Sequence, residues 1–239
     1  MSETTDQVPV APVTTAPSKV RTICIDTLTA IQNEQYMSDS RKPGHDQWKD
    51  YGQDIYVFIS DLQALGFELV FILGEPGTGK STGMRNLPHN SNVWFNADNK
   101  NPLWIGGKEE YGKKNAPRLP FHLIPKTYTD IINHVKYGLE KGMFEEERFA
   151  FITGHTETYK VANDTKERLK ILGKLGTKMQ LEGKAENVFY SRVEVKGGDP
   201  KFILETQNNG FNTARSPMGL FEGKIDNDYH FIVEKLLSL

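Results

Sequence analysis

Apolar runs and helical periodicities alternate along most of this chain. Uninterrupted apolar runs are typical of strands that are buried on both faces, and they predict strands at residues 20–26, 67–73, 92–97, 119–124 and 148–153. Apolar residues that recur at three- and four-residue steps predict helices instead, and helices are expected at residues 45–65, 127–142 and 228–239. A short helix is also expected just before Pro88.

The remaining segments complete an α/β pattern. Residues 31–46 are polar and predict an exposed loop. Two late runs, 186–195 and 201–207, flank the turn sequence Gly197-Gly198-Asp199-Pro200 and predict a hairpin. Strands that alternate with helices predict a mostly parallel sheet flanked by helices. The hairpin is expected to extend that sheet as its antiparallel edge.

Composition favours a single globular domain, residues 20–239, after a flexible tail at residues 1–19. The tail is rich in Thr, Pro, Val and Ala and contains no aromatic residue. The only cysteine of the 239-residue chain, Cys24, excludes an internal disulfide and favours a reducing, cytoplasmic location. No apolar run approaches the roughly 18 residues of a membrane span. With a net charge of −2, contact with nucleic acid requires a local basic patch.

The strand at residues 67–73 opens into GEPGTGKS, which fits the phosphate-loop pattern G-x-x-x-x-G-K-[ST]. Glycines let the backbone curl so that successive N–H groups point at phosphate oxygens. Lys80 has the length to reach the β- and γ-phosphates of ATP, and the Ser81 hydroxyl can ligate Mg²⁺. The alternative is a glycine-rich turn that binds nothing. The predicted nucleotide-binding residues are Gly74, Glu75, Pro76, Gly77, Thr78, Gly79, Lys80, Ser81 and Thr82.

Two acids follow predicted strands. Asp26 ends the first strand, and it would lie beside the phosphate loop if both strands belong to one parallel sheet. There it could hold Mg²⁺, or it could cap a helix that begins at Thr27. Asp98 follows the strand at residues 92–97, where it could polarise an attacking water.

Five motifs together resemble the RecA-like ATPases of bacteriophage recombination modules, short relatives of RecA and RadA that are linked to single-strand annealing. They are ICIDTLTAI, the WKDYG helix, GEPGTGKST, FITGHTETY and TQNNGFNTARSPMGLF, and they span about residues 20–225. The resemblance implies a RecA-like core that binds ATP and Mg²⁺ and acts on single-stranded DNA. It also implies a homo-oligomer or filament, a phage single-strand-binding protein as a further partner, and a place in the host cytoplasm.

The resemblance assigns roles to several residues. Residues 74–81 are the Walker A loop, Asp26 is the Walker B acid, and Asp98 stands where the family has its catalytic base. That base is usually a glutamate, so an aspartate has a shorter reach. His155 takes the place of the polar group that senses the γ-phosphate. Glu157 is the next acid to consider if Asp98 is not the base.

The stretch after His155 corresponds to a DNA-binding loop of the family. Residues 160–184 contain seven Lys or Arg against three acids, and Tyr159 could stack on a base. The alternative is a solvated helix face with ordinary lysines. Arg215 is a candidate for a cation that acts across a subunit interface. The predicted DNA-binding residues are Lys160, Lys166, Arg168 and Lys170, with Arg41 and Lys42 in a second loop.

The order of the motifs departs from that of the family. The Walker A strand normally precedes the Walker B strand, but here Asp26 precedes Lys80. Moving residues 21–70 to follow Ala150 would restore the family order, with all three new joins at the starts of predicted strands. The site can survive this exchange because the loop and the acid need only meet at the carboxyl ends of sheet strands.

Four functions are compatible with these residues. The first is a DNA-stimulated ATPase. The second is a nucleotide-gated DNA-binding or annealing module with negligible hydrolysis, which the aspartate at position 98 keeps open. The third is a small-molecule phosphotransferase, which would require an arginine-bearing lid where this chain is rich in lysine. A packaging-type motor is the last, but no nuclease or second domain is recognisable.

Overall fold

A computed structural model describes residues 19–38, 45–102, 104–105, 122–171 and 181–239. Two short 3₁₀ helices, Ser81–Asn86 and Leu181–Lys184, accompany the main elements. Along the chain the main elements are β1 (Val20–Asp26), α1 (Leu28–Ser38), α2 (His45–Ala64), β2 (Phe67–Leu73), β3 (Asn92–Asn96), β4 (His122–Leu123), α3 (Tyr128–Glu140), β5 (Phe144–Gly154), β6 (Thr156–Val161), β7 (Asp164–Leu169), β8 (Asn187–Lys196), β9 (Asp199–Glu205), β10 (Lys224–Asp226) and α4 (Tyr229–Leu236).

The central sheet has eight strands in the order β10-β9-β8-β2-β5-β1-β3-β4. The pairs from β8 to β4 are all parallel, whereas β8–β9 and β9–β10 are antiparallel. The predicted α/β fold, mostly parallel with an antiparallel hairpin at its edge, is confirmed. Since β5 pairs with both β2 and β1, the phosphate-loop strand and the Asp26 strand end at the same edge of the sheet, separated by one strand.

The central strands are buried on both faces because their side chains alternate between two cores. Ile23 and Ile25 of β1 pack into a core with residues of α1, α2 and α3. Cys24, between them, packs into the opposite core with residues of α4. This two-sided burial explains why the strands read as continuous apolar runs rather than as alternating ones.

The expectation of an exposed loop at residues 31–46 is wrong in its first part. Residues 31–38 belong to α1. This helix buries five consecutive residues, 28–32, and two of them, Thr29 and Gln32, are polar, so no apolar periodicity is visible in the sequence. The helix cap also differs from the one considered for Asp26. The Thr27 hydroxyl accepts from the Ala30 amide at 3.1 Å, which leaves the Asp26 carboxylate available for other partners.

The polar segment after His155 forms a separate two-stranded antiparallel sheet, β6–β7, rather than a helix face. Strand β10 was not expected. Of the strand predicted at residues 119–124, His122 and Leu123 form β4, and residues 119–121 lie outside the described residues. Arg41, Lys42, the tail at residues 1–18 and most of the loop at 99–118 lie outside the described residues. Within the described part of the chain, no helix is long and apolar enough to cross a membrane.

Candidate phosphate-binding site

The phosphate loop leaves β2 at Leu73 and turns through two glycines with positive φ, 82° at Gly77 and 84° at Gly79. Residues that carry a Cβ atom rarely adopt this backbone conformation, so glycine is needed at both turns. Gly74 is needed for a different reason. A Cβ atom there would lie 2.7 Å from the carbonyl oxygen of Ser191 in β8.

Polar hydrogens at the loop are available to an anion. Among the described residues, the backbone amides of Gly77, Gly79, Lys80 and Ser81 donate to no backbone carbonyl. The Lys80 ammonium donates to the carbonyl oxygens of Gly74 at 2.8 Å and of Glu75 at 2.7 Å. Burial lowers the pKa of Lys80 to about 8, against the opposing charges of nearby acids. A buried ammonium held only by neutral carbonyls gains from a phosphate partner.

Asp26 meets the phosphate loop at the edge of the sheet. Asp26 is 4% exposed, and its carboxylate accepts a 2.8 Å hydrogen bond from the Thr153 hydroxyl, at the end of β5. Burial raises the pKa of Asp26, while the hydroxyls of Ser81 and Thr153 oppose that rise. A carboxylate and a serine hydroxyl in contact are hard oxygen ligands of the kind that Mg²⁺ shares with substrate phosphates. The residues present therefore fit a magnesium ion bound together with a nucleotide.

A cavity of about 280 Å³, referred to below as the phosphate cavity, joins these groups to Asp98 and His155. Asp98 forms an ion pair with Lys100 at 3.0 Å. Burial, followed by the charge of Lys80, lowers the pKa of His155, so the imidazole is neutral at neutral pH. The cavity is lined by Asp26, Thr27, Pro76, Gly77, Gly79, Lys80, Ser81, Thr82, Trp94, Asp98, Lys100, Asn101, Pro102, His155 and Phe202.

The C-terminal segment holds the phosphate loop through hydrogen bonds to its backbone carbonyls. The Asn227 side-chain amide donates to the Gly79 carbonyl at 2.5 Å, and the Tyr229 hydroxyl donates to the Lys80 carbonyl at 2.5 Å. Gly83 lets Tyr229 approach, because a Cβ atom at position 83 would lie 2.2 Å from its ring. Residues that are far apart in sequence thus fix the shape of the loop.

No protein-family model, curated protein or solved structure matches this chain.

Five predicted site residues lie on or beside the β6–β7 hairpin rather than in the cavity. Glu157 pairs with Arg168 at 2.8 Å, and the Arg168 guanidinium lies 4.4 Å from the centre of the Tyr159 ring. The Lys166 ammonium donates to the Gly210 carbonyl. Lys160 and Lys170 are exposed, and among the described residues neither forms an ion pair with an acid.

Arg215 has local partners. Its guanidinium donates to the carbonyl oxygens of Glu182 and Ala185, the latter at 2.6 Å and 2.9 Å. Its backbone pairs with Val188 of β8. Acting across a subunit interface would require these bonds to break, and that role stays a prediction.

Several residues that line the cavity or support its walls were not expected from the sequence. Thr153 lies near the end of β5, beside Asp26 at the end of β1. A hydroxyl at the end of a predicted strand is only a weak sequence signal for a site residue. Phe202 comes from the late hairpin, and Asn227 and Tyr229 from the C-terminal segment. Nothing local in the sequence distinguishes these side chains from ordinary core or surface residues.

Proposed function

We propose that this protein is a magnesium-dependent ATPase of the RecA-like type that acts on single-stranded DNA. The observation that supports it best is the meeting of Asp26 with Lys80 and Ser81 in one cavity. These residues are more than fifty positions apart, and their order is the reverse of the family order. A glycine-rich turn that binds no ligand does not explain why a buried carboxylate lies beside it.

Each group has a defined task in phosphoryl transfer. The loop amides and the Lys80 ammonium bind the β- and γ-phosphates, and Asp26 and Ser81 would hold Mg²⁺. When bound, Mg²⁺ supplies positive charge that neutralises the phosphates as the bond breaks. Asp98 accepts a proton from the attacking water, and the neutral His155 orients a γ-phosphate oxygen.

The DNA part of the proposal is supported by where the hairpin begins. Strand β6 starts one residue after His155, and the Lys170 amide donates to the His155 carbonyl at 2.7 Å. Both ends of the hairpin are thus fixed at the wall of the phosphate cavity. A displacement of His155 by the γ-phosphate would be transmitted directly to the lysines of the hairpin.

A second function, nucleotide-gated DNA binding with negligible hydrolysis, is favoured by the ion pair between Asp98 and Lys100. The carboxylate oxygen that accepts from the Lys100 ammonium is less available to an attacking water. This protein would bind ATP as a switch and release it unchanged.

Steady-state ATP hydrolysis, with and without single-stranded DNA, tests the proposal and separates the two functions. The ATPase predicts Mg²⁺-dependent turnover that rises with DNA and is lost in Lys80→Met. This variant retains an aliphatic stem but has no charge, so it serves as a matched control for the fold. Tight ATP binding without turnover, in both conditions, would favour the switch.

A further inference from the structure

We infer that a second cavity next to the phosphate cavity holds the base and sugar of the nucleotide, and that the base stacks on Phe202. This inference rests on the nucleotide function proposed above. It identifies the ligand as a nucleoside triphosphate rather than an inorganic polyphosphate, and it assigns a specificity-determining residue.

The two cavities share a wall. The second has a volume of about 300 Å³, and Thr82 and Phe202 line both. Thr82 directly follows the serine that is proposed to hold Mg²⁺. A ligand whose phosphates occupy the first cavity would therefore extend past these two side chains into the second. The second cavity is lined by Thr82, Arg85, Pro200, Lys201, Phe202 and Asp226.

Phe202 is not used by the core. Along β9, side chains alternate between the two faces of the sheet, so Phe202 and Leu204 share a face. Leu204 is fully buried in the core beside α4, whereas Phe202 is half-buried and belongs to neither buried cluster. One side of its ring is against the phosphate loop, since a Cβ atom at Gly79 would lie 2.6 Å from ring carbons. The ring is thus fixed beside the phosphates while part of it stays open to the cavities.

The other lining groups suit a nucleoside. The Arg85 guanidinium is held by the carbonyl oxygens of Thr82 at 3.3 Å and Asn227 at 3.2 Å, and a fixed planar cation is a second surface on which a base can stack. The Asp226 carboxylate, paired with Lys201 at 2.6 Å, offers oxygen acceptors to the hydroxyl and amino groups of a nucleoside. A bare polyphosphate has no such donors and no flat face.

The test compares two ligands, ATP and inorganic tripolyphosphate, each titrated with excess Mg²⁺ by calorimetry. Phe202→Leu retains an apolar side chain against Gly79 but has no ring, and Phe202→Tyr retains the ring. We expect Phe202→Leu and Phe202→Ala to weaken ATP binding by about 10- to 100-fold, the usual effect of losing one stacked base. Tripolyphosphate affinity should stay within about two-fold in every Phe202 variant, and Phe202→Tyr should bind both ligands like the wild type.

Two outcomes would overturn the inference. An equal loss for both ligands would show that Phe202 only shapes the phosphate loop, and no loss for either would show that the base lies elsewhere. If Phe202→Ala does not fold, Phe202→Leu gives the same comparison. Failure of the proposed function is recognised separately. If Lys80→Ala leaves the affinity for both ligands unchanged, the phosphates do not bind at this loop, whatever the Phe202 variants show.

Discussion

The phosphate cavity and the β6–β7 hairpin meet at His155, yet they present their charges in opposite ways. In the cavity, Asp26 and Lys80 are buried and held by hydroxyl and carbonyl groups. On the hairpin, Lys160, Asp164 and Lys170 face solvent, and several of the other charged groups neutralise one another. Arg168 pairs with Glu157, and Glu167 pairs with Arg192 of β8 at 2.5 Å.

This difference shows that a count of charges in the sequence overstates the excess positive charge on the surface of the hairpin. Residues 160–184 suggested an excess of four positive charges. Lys184, however, lies 3.8 Å from the Tyr56 ring of α2 and donates to Ser60, away from the hairpin. Lys174 and Lys178 lie outside the described residues. The hairpin itself, with its flanking Lys170, contains four bases and three acids.

The largest expected effect is on turnover. Asp98→Asn should slow hydrolysis by about 10²–10⁴-fold, because an amide cannot accept the proton of the attacking water. ATP affinity should change little, since among the described residues the Asp98 carboxylate bonds to Lys100 and to no amide of the loop. Single-turnover kinetics at saturating ATP measures this directly. Lys100→Met is the matched control, because it removes the ion pair but keeps the carboxylate. Normal hydrolysis by Asp98→Asn would show that Asp98 is not the base.

Lys80→Met should weaken MgATP binding by about 10²-fold, the usual effect of removing a charged hydrogen-bond donor. The affinity of the nucleotide-free protein for DNA should not change, since the hairpin lysines are untouched. Calorimetry with ATP and fluorescence anisotropy with labelled DNA provide the two measurements. Parallel loss of both affinities would mean that the cavity and the hairpin are not separate binding regions.

Lys160→Ala combined with Lys170→Ala should weaken binding of single-stranded DNA and make its salt dependence shallower. Each lysine that neutralises a phosphate adds about −0.7 to the log–log slope, so removal of both should change the slope by about 1.4. Lys126→Ala combined with Lys136→Ala, exposed at the start of and along α3, is the control with equal charge. If the two double variants behave alike, the hairpin is not the DNA surface.

The smallest effect concerns the support of the loop. Tyr229→Phe removes the hydroxyl that donates to the Lys80 carbonyl, while the ring stays stacked on Phe151. We expect the free energy of unfolding to fall by about 1 kcal/mol, measured by urea denaturation. ATP affinity should fall only a few-fold. An ATP affinity as low as that of Lys80→Met would mean that the loop has no stable shape of its own.

The central strands and the glycine-rich turn that follows β2 could be predicted from the sequence because their determinants are local. The continuous apolar run of β2 and the spacing of Gly74, Gly79 and Lys80 are read directly from neighbouring residues. The positions of Asp26 and Asp98 followed from one further rule, that parallel strands end at the same edge. That rule holds here despite the exchanged order, because β1 and β2 both pair with β5.

What could not be predicted depends on contacts between distant residues. Tyr229 reaches Lys80 across 149 positions, and Phe202 reaches Gly79 from another strand. The β6–β7 hairpin was missed because most residues of its two strands are polar. Neither the two-residue repeat of a strand nor the repeat of a helix is therefore visible in the sequence. Helix α1 was missed because two of its five buried residues, Thr29 and Gln32, are polar, so no apolar repeat marks the helix. In each case packing, rather than local preference, decides the structure.

The most direct test of the proposed site is a titration of ATP into the wild-type protein and Asp26→Asn, each with Mg²⁺ and with EDTA. If Asp26 holds the metal beside the phosphate loop, the wild type binds one ATP and binds it about 10-fold or more tightly with Mg²⁺. Asp26→Asn then binds ATP with the same affinity in both conditions, because an amide is a poor ligand for this ion. An equal gain from Mg²⁺ in both proteins would contradict the assignment of Asp26, and the absence of ATP binding by the wild type would contradict the nucleotide site as a whole.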